Sequence, residues 1–365
     1  MMQVRYLDLS VKDPALKGEL LAAVERVLDH GQIILGPEVE EFERRVAGGC
    51  GRNYAVGVDS GTGALYMALR ALDVGLGDEV ITTPMSWIAT LNAIVLTGAE
   101  PVFVDVGPDQ NINAELIPEA ITPRTKAILP VHYTGKMCQM DLISRIAEEN
   151  GLTVVEDAAQ SYGASINGRK AGSFGRVSCF SMNSMKVLHS YGEAGAVVTD
   201  DQALWEKLVS LRYNGTVNRE DCHYPSLNFR LQALQAAMTL VSLDHFDQVI
   251  SRRREIAARY TSQLKGVVGC PEPEDGYGHV YYTYVIVAER RDELRAFLES
   301  KGIETKIHHP ILMPYHTAYR DRFQTQIPVA ERLVARILSL PNHEKMTDQE
   351  VEYVAGRVRE FYGAS

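Results

Sequence analysis

Strand-like and helix-like segments alternate from about residue 53 to residue 210, and no other feature of the sequence constrains the fold more. The strand-like segments are NYAVGVDS, DEVITTP, EPVFVDV, TKAILPVHY and LTVVEDAA. The helix-like segments between them are GTGALYMALRAL, SWIATLNAIVLTG, AELIPEAI and DLISRIAEENG. Because strands separated by helices form βαβ units, the sequence predicts an α/β fold with a mostly parallel central sheet and flanking helices. In such sheets, ligands bind beyond the carboxyl ends of the strands.

A smaller C-terminal domain is predicted after this block. The long helical pattern that bridges to it is LQALQAAMTLVSLDHFDQVISRRREIAARYTSQL. The domain is predicted to be α+β, with strands at YYTYVIVA and IETKIHH and helices at DELRAFLESKG, VAERLVARIL and DQEVEYVAGRVREF. We therefore predict a large domain over residues 1–245, with an N-terminal arm at 1–35, and a small domain over residues 246–365.

Composition excludes several classes of protein. The net charge of −10 over 365 residues disfavours non-specific binding of nucleic acid, which requires a basic surface. The five cysteines are odd in number and far apart, which disfavours a disulfide framework and a zinc site, and we expect no metal. The N-terminus MMQVRYLDLS does not resemble a signal peptide, and no apolar run approaches membrane-spanning length. A cytoplasmic protein without membrane contact is expected.

The stretch Ser60-Gly61-Thr62-Gly63 ends a strand and opens a helix. Small residues at such a point let backbone N–H groups approach an anion, and the helix dipole favours negative charge. A plain strand-to-helix turn with Ser60 or Thr62 as the N-cap explains the stretch equally well. It is neither a GxGxxG nor a Walker A sequence, so NAD and ATP are poorly supported.

Three further residues follow strands in the same block. Asp157 ends a buried apolar strand. A buried carboxylate needs a cation, and a protonated pyridine nitrogen would serve. An Asp that caps the next turn is the commoner explanation. Trp87 begins a helix and could stack on a planar cofactor, although a core Trp is more common. Lys186 lies in a loop near Gly192 and Gly195, where a lysine can act as a nucleophile, although most lysines are on the surface.

The combination of these features is more specific than any one of them. A phosphate cradle, an aromatic platform, a strand-end Asp and a loop Lys are the parts that pyridoxal phosphate requires. With these features in this order, the chain resembles the DegT-type family of pyridoxal-phosphate-dependent sugar aminotransferases, which have the aspartate aminotransferase-like fold type I. The resemblance runs from about Gly31 to the C-terminus and rests on GQIILGPEVEEFE, DSGTGAL, GDEVITTPMSWIATLNAI, GAEPVFVDV, VVEDAAQSYGA, the Lys186 loop, LNFRLQALQAA and LSLPNHEKMTDQEV.

The resemblance implies a role for each matching residue. Lys186 would bind the cofactor as a Schiff base and move the proton during transamination. Asp157 would pair with the pyridine nitrogen, Trp87 would stack on the ring, and Gln160 would lie near the ring hydroxyl. The residues implied to contact the phosphate are Gly61, Thr62 and Ser181. Asn228 matches an asparagine that reaches the cofactor phosphate of the partner subunit, so a homodimer with a shared active site is implied.

The resemblance further implies that L-glutamate gives its amino group to a nucleotide-linked keto-sugar. Looser matches place the amino acceptor near the pairs His132-Tyr133 and His308-His309, although a polar turn before Pro310 explains the second pair equally well. The family often has a PTK-like sequence before the lysine, where this chain has Asn183-Ser184-Met185. Because that flank differs, an aminocyclitol ketone or a small phosphorylated ketone is kept as an alternative acceptor. A separate alternative for the whole chain is a non-catalytic regulatory or binding protein of the same fold.

Overall fold

A seven-stranded sheet lies at the centre of the computed structural model, which describes residues 2–323 and 325–364. The strands are β1 (Tyr54–Val58), β2 (Glu79–Thr82), β3 (Glu100–Phe103), β4 (Thr125–Leu129), β5 (Thr153–Asp157), β6 (Ser165–Ile166), β7 (Arg169–Lys170), β8 (Val177–Ser181), β9 (Gly195–Thr199), β10 (Thr216–Val217), β11 (Asp221–Cys222), β12 (Tyr277–Gly278), β13 (Tyr284–Val287) and β14 (Ile337–Leu340). The α-helices are α1 (Pro14–His30), α2 (Pro37–Cys50), α3 (Gly61–Ala71), α4 (Ile88–Leu96), α5 (Ile117–Ala120), α6 (Met140–Glu149), α7 (Gln202–Arg212), α8 (Ala233–Asp244), α9 (Phe246–Leu264), α10 (Arg291–Ser300), α11 (Pro328–Val334) and α12 (Asp348–Phe361).

The strand order of the central sheet is β1-β9-β8-β5-β4-β2-β3. Its pairs are parallel except those of β9, which runs antiparallel to both β1 and β8. The predicted α/β fold with a mostly parallel sheet is therefore confirmed. Because β1, β2, β5 and β8 run in one direction, their carboxyl ends lie along the same edge of the sheet.

Helices cover both faces of the sheet because successive side chains of a strand point to opposite faces. Val154 and Ile128 pack into one core with α2, α6 and α8. Val155 and Leu129 pack into the other core with α3, α4 and α7. The strands are thus buried on both sides, as is expected of a parallel sheet.

The predicted N-terminal arm contains a 17-residue helix, α1. Asp13 caps its first turn, and Gly31 ends it in a left-handed conformation at φ 73°, which glycine adopts without strain. The buried residues Leu20, Ala23 and Val27 recur at helical spacing and pack against α8. The arm is therefore held against the large body by an apolar helix–helix contact.

The C-terminal unit differs from the prediction in two places. The segment IETKIHH forms no strand, because Ile303 pairs with Val4 and Lys306 pairs with Ser339, and isolated bridges to two different partners do not build a ladder. The helix predicted at VAERLVARIL ends at Val334, and its last two residues open β14, whose four residues are buried and pair with β13. Burial and strand pairing outweigh local helical propensity there. The division into domains at residue 245 stays a prediction.

Several hydrogen bonds attach the C-terminal unit to the large body, and three of them lie beyond the ends of β2 and β3. Asp105, beyond the end of β3, accepts hydrogen bonds from the backbone N–H groups of Val329 and Ala330 at the start of α11, at 2.8 and 2.9 Å. The N–H of Met313 donates to the carbonyl of Pro84 at 2.9 Å. These contacts hold residues 306–310 against the carboxyl edge of the sheet. Among the described helices, none has the length and apolar character to span a bilayer.

Candidate active site

A cavity of about 370 Å³ lies at the carboxyl edge of the sheet. The segments after β1, β2, β5 and β8 form most of its wall, and residues 306–310 of the C-terminal unit close one side. Its position is the one at which open α/β sheets bind ligands.

The N-terminus of α3 forms one wall. Ser60 caps the helix by accepting a hydrogen bond from the N–H of Gly63 at 3.0 Å, and Gly61 and Thr62 line the cavity. A Cβ on Gly61 would lie 2.5 Å from the Cβ of Ser181, and a Cβ on Gly195 would lie 2.6 Å from the carbonyl of Ser60. Only glycine allows the helix to approach β8 and β9 this closely. The N-terminus of this 11-residue helix therefore meets Ser181 at a point suited to a phosphate.

Asp157 lies at the end of β5 and is almost fully buried. Its Oδ2 accepts a hydrogen bond from Thr90 Oγ1 at 2.8 Å, and its Oδ1 accepts one from the N–H of Ala159 at 3.1 Å. Burial raises the pKa of this carboxyl above its ordinary value, against the opposing effect of these bonds and of Lys186. A cationic ligand in the cavity would offset that burial.

Lys186 lies in the loop between β8 and β9, and its Nζ is 4.6 Å from the centre of the Tyr282 ring. Backbone hydrogen bonds hold the loop, including those from the N–H of Ser184 to the carbonyl of Gly192 and from the N–H of Lys186 to the carbonyl of Asn183. Within residues 2–323 and 325–364, the ammonium makes no ion pair. It faces the cavity beside an aromatic ring and is held there by its loop.

The unusual flank before Lys186 is part of this support. Asn183 donates from its side-chain amide to Glu193 and accepts, through Oδ1, the N–H of Met185 at 3.0 Å. Asn183, Met185 and Glu193 all line the cavity. The flank thus places an amide, a thioether and a carboxylate at the site.

Trp87 and Gln160 also line the cavity, and the ring of Trp87 lies 5.8 Å from that of His309. Trp87 precedes α4, and its side chain is 58% exposed on the rim of the cavity. Gln160 is buried, and its Oε1 accepts the N–H of Thr134 at 2.8 Å, which fixes the orientation of the amide.

The pair His308-His309 lines the cavity from the C-terminal side. The two rings are 4.0 Å apart, and His309 is in the left-handed region at φ 52°. Tyr133 does not line the cavity, but its hydroxyl donates to the carbonyl of His308 at 3.0 Å and positions the pair. Burial, with Lys186 and Lys306 nearby, lowers the pKa of His309 to about 3, so this ring is neutral at pH 7.

His132 lies outside the cavity. Its Nδ1 accepts the N–H of Cys138 at 3.3 Å, so its Nε2 carries the proton and donates to Glu156 Oε2 at 3.1 Å. Asn228 is also outside the cavity, exposed, with its Oδ1 bonded to Arg230 Nε at 2.8 Å. Their predicted roles stay predictions. In the part of the chain that the structure describes, His132, Tyr133 and Asn228 lie outside the cavity, and the other predicted residues line it.

The chain matches the DegT/DnrJ/EryC1/StrS aminotransferase family over residues 14–359. It belongs to this family. A pleiotropic regulatory protein of Geobacillus stearothermophilus is 38% identical over 99% of both chains. The dTDP-3-amino-3,4,6-trideoxy-α-D-glucose transaminase of Streptomyces venezuelae is 39% identical over 98% of this chain and 96% of its own.

Solved structures agree with this assignment. DesV of S. venezuelae, in complex with a ketimine intermediate, has a TM-score of 0.97 and 39% identity over the whole of both chains. NtdA from Bacillus subtilis, with bound cofactor PMP, has a TM-score of 0.93 and 29% identity over 100% of this chain and 86% of its own. The predicted fold, the predicted enzyme class of aminotransferase and the predicted cofactor pyridoxal phosphate are confirmed.

The residues of this DegT-family site fit that cofactor. Because Gly61 has no side chain, the N-terminus of α3 packs directly against Ser181, and both residues line the cavity at the place suited to an anion. Asp157 is a buried carboxylate that needs a cation, and Lys186 faces the same space. An anion site, a cation-binding group and an amine in one cavity match the phosphate, ring nitrogen and aldehyde of pyridoxal phosphate.

Sequence reasoning missed three residues of the site. Thr90 lies one helical turn after Trp87, and that spacing could have placed it on the same face of α4. Tyr282 and Lys306 line the cavity from the C-terminal unit. No local pattern marks either of them, because only the packing of that unit against the sheet brings them to the site.

Proposed function

We propose that the protein transfers the amino group of L-glutamate to a nucleotide-linked keto-sugar by a ping-pong mechanism. The observation that carries this proposal is the convergence of Lys186, Asp157 and the N-terminus of α3 on one cavity. The acceptor class is supported by relatives named as transaminases of dTDP- and UDP-linked sugars. A cytoplasmic location stays a prediction.

Lys186 would act first as the amine that holds the cofactor and then as a general base. Pyridoxal phosphate, when bound, supplies an aldehyde for the donor amine and a ring that withdraws electrons. Lys186 Nζ would hold the aldehyde and would move the proton of the donor Cα. The loop bonds that hold Lys186, and the Tyr282 ring beside it, would keep the amine in place for both roles.

Asp157 would hold the positive charge of the pyridine nitrogen. Its two hydrogen bonds leave lone pairs for a third donor, and its burial makes a nearby cation favourable. Gly61, Thr62 and Ser181 would bind the phosphate, and Trp87 and Gln160 would fix the ring.

We further propose a homodimer in which Asn228 reaches the phosphate of the partner subunit. Large apolar side chains are exposed beside it, at Ile33, Ile34 and Leu227. The segment that carries the two isoleucines is hydrogen-bonded to residues 231–233, next to Asn228. Exposed apolar residues grouped around a functional asparagine are typical of a subunit interface. A monomer in sedimentation at micromolar concentration would contradict this part.

The experiment is the visible absorption spectrum of the protein with pyridoxal phosphate, before and after L-glutamate, for wild type and Lys186→Ala. We expect a cofactor band that glutamate bleaches in the wild type, and turnover about 10³-fold lower in the variant, because the base is lost. The control is Lys265→Ala, an exposed lysine that does not line the cavity. Turnover of Lys186→Ala at the wild-type rate would overturn the proposal. Comparison of a nucleotide-linked keto-sugar with an aminocyclitol ketone and a phosphorylated ketone would identify the acceptor.

A further inference from the structure

A second cavity, of about 220 Å³, adjoins the first on the side of the C-terminal unit. Four residues line both cavities: Met185, Tyr282, Lys306 and His308. Because Lys186 Nζ lies over the ring of Tyr282, a ligand that reacts at Lys186 has this second space beside it.

Buried polar atoms without partners surround this second cavity. In the part of the chain that the structure describes, no hydrogen bond reaches Thr283 Oγ1, Arg253 Nε, either ring nitrogen of His308 or the acceptor Asn342 Oδ1. All four residues are at least 95% buried and line the cavity. Buried polar groups are almost always hydrogen-bonded, and leaving them unpaired is costly. Because most of these atoms can donate, they fit a ligand rich in acceptors.

Among the charged side chains that line this cavity, Lys306 is the cation available to such a ligand. The guanidinium of Arg253 is engaged by Glu344 at 3.3 Å and by the carbonyl of Asn342 at 2.7 Å. Glu304, on the rim, accepts the N–H of Tyr6 at 3.0 Å. Lys306 is exposed at the junction of the two cavities and makes no ion pair within residues 2–323 and 325–364.

We propose that the second cavity binds the distal carboxylate of a dicarboxylic amino donor, with Lys306 as the counter-charge and Thr283 and His308 as hydrogen-bond donors. This inference rests on the proposed transamination. The amino group of the donor must reach Lys186 in the first cavity, and its side chain then extends past Tyr282 into the second. Lys306 is thus a specificity-determining residue: it distinguishes L-glutamate from L-glutamine, which has the same shape and no charge.

The experiment compares bleaching of the cofactor band by L-glutamate and by L-glutamine in the wild type and Lys306→Met. We expect the half-saturating concentration of L-glutamate to rise about tenfold in the variant, as on loss of a charge-assisted hydrogen bond, with that of L-glutamine changed less than threefold. Lys301→Met is the control, because Lys301 lies in the same unit, pairs with Glu360 and lines neither cavity.

Binding of glutarate, measured by calorimetry, gives a readout that does not depend on the reaction. We expect its dissociation constant to rise about tenfold in Lys306→Met and severalfold in Thr283→Val, a variant of similar shape that lacks only the hydroxyl. Wild-type protein that binds glutarate in this way but is not bleached by glutamate would refute the proposed function and leave the carboxylate site standing.

Two results would overturn the inference. One is an unchanged response of Lys306→Met to both L-glutamate and glutarate. The other is a loss confined to the acceptor step, in which the variant no longer favours a nucleotide-linked 3-keto-glucuronate over the 3-keto-glucose counterpart that lacks the carboxylate, while glutamate is unaffected. That second result would assign the carboxylate to the acceptor and not to the donor.

Discussion

Glu156 and Asp157 are neighbours on β5, both buried, and their surroundings are opposite. Glu156 shares the face of Val154, where its two oxygens accept hydrogen bonds from His132, Ser178 and three backbone N–H groups between residues 172 and 175. Although burial alone would raise its pKa, these bonds hold it at about 2. Asp157 faces the cavity with two hydrogen bonds, and its pKa is raised by burial.

The difference separates a structural carboxylate from one suited to a ligand. Every lone pair that Glu156 could offer is used by the protein, so it ties β5 to the loop before β8. Asp157 keeps capacity for a cation at the place where the ring nitrogen of the cofactor is expected. A carboxylate at a strand end therefore indicates a site only when the protein leaves it partly unsatisfied.

The largest effect is expected from Asp157→Asn. Transamination should fall roughly 10³-fold, because an amide cannot stabilise the cationic ring. The cofactor-free variant should be at least as stable as the wild type in urea, since a buried and unpaired charge is removed. The sign of the stability change follows from the raised pKa: ionisation of Asp157 costs stability at neutral pH, and that cost shrinks as the pH falls below the folded pKa and is gone below the ordinary pKa of the unfolded chain. Activity within tenfold of wild type would contradict the assignment.

The next largest effect is expected from Glu156→Gln, which should lower the free energy of unfolding by roughly 3 kcal/mol. This magnitude follows from a pKa of about 2 against an ordinary 4.5. Urea denaturation at pH 7 measures it, and the folded variant should keep turnover within a few-fold of wild type, because Glu156 does not line the cavity. A loss below 1 kcal/mol would show that the hydrogen bonds do not stabilise this loop.

The stability difference between wild type and Glu156→Gln, measured at acidic pH, is a control for this prediction. A depressed carboxyl pKa contributes stability that is fully present above the unfolded value of 4.5 and is lost as the pH falls to about 2. The difference between wild type and Glu156→Gln should therefore shrink across that window. A difference that stays constant from pH 5 to pH 2 would point to packing and not to charge.

The smallest effect is expected from Thr90→Val, which removes the hydrogen bond to Asp157 Oδ2 and keeps the shape of the side chain. The affinity for pyridoxal phosphate should fall severalfold, in line with a net hydrogen-bond contribution of about 1 kcal/mol. Thr97→Val is the matched control, because Thr97 ends the same helix and bonds the carbonyl of Ile94. Equal losses in the two variants would show that Asp157 does not need Thr90 for its orientation.

Part of the site could be predicted because local sequence carries it. Asp157 follows a buried run, Gly61 opens a helix after a strand, and Lys186 lies in a glycine-flanked loop, so each is marked by its own neighbours. The choice between Glu156 and Asp157 as the ligand-facing carboxylate came from the family resemblance. Alternation along the strand does not say which face carries the cavity.

The direction of the His132 side chain could not be predicted from the sequence. The family resemblance implies a place near the acceptor, and that role stays a prediction; the ring lies in the core and is hydrogen-bonded to Glu156. Tyr133, next to it, reaches the site only through the carbonyl of His308. Side-chain direction at a strand end depends on the following turn, here with Thr134 at φ 59°, which the sequence does not reveal.

The sequence by itself determined the α/β architecture, because the spacing of apolar residues fixes which segments are strands and which are helices. It also indicated that Gly61 opens a helix after a strand and that Lys186 lies in a glycine-flanked loop, since both features depend on residues adjacent in the chain. The tertiary structure alone decided that IETKIHH remains outside a ladder and brings Lys306 and the two histidines to the cavity. The physical reason is that contacts between distant segments are set by how whole units pack, and no local pattern encodes that packing.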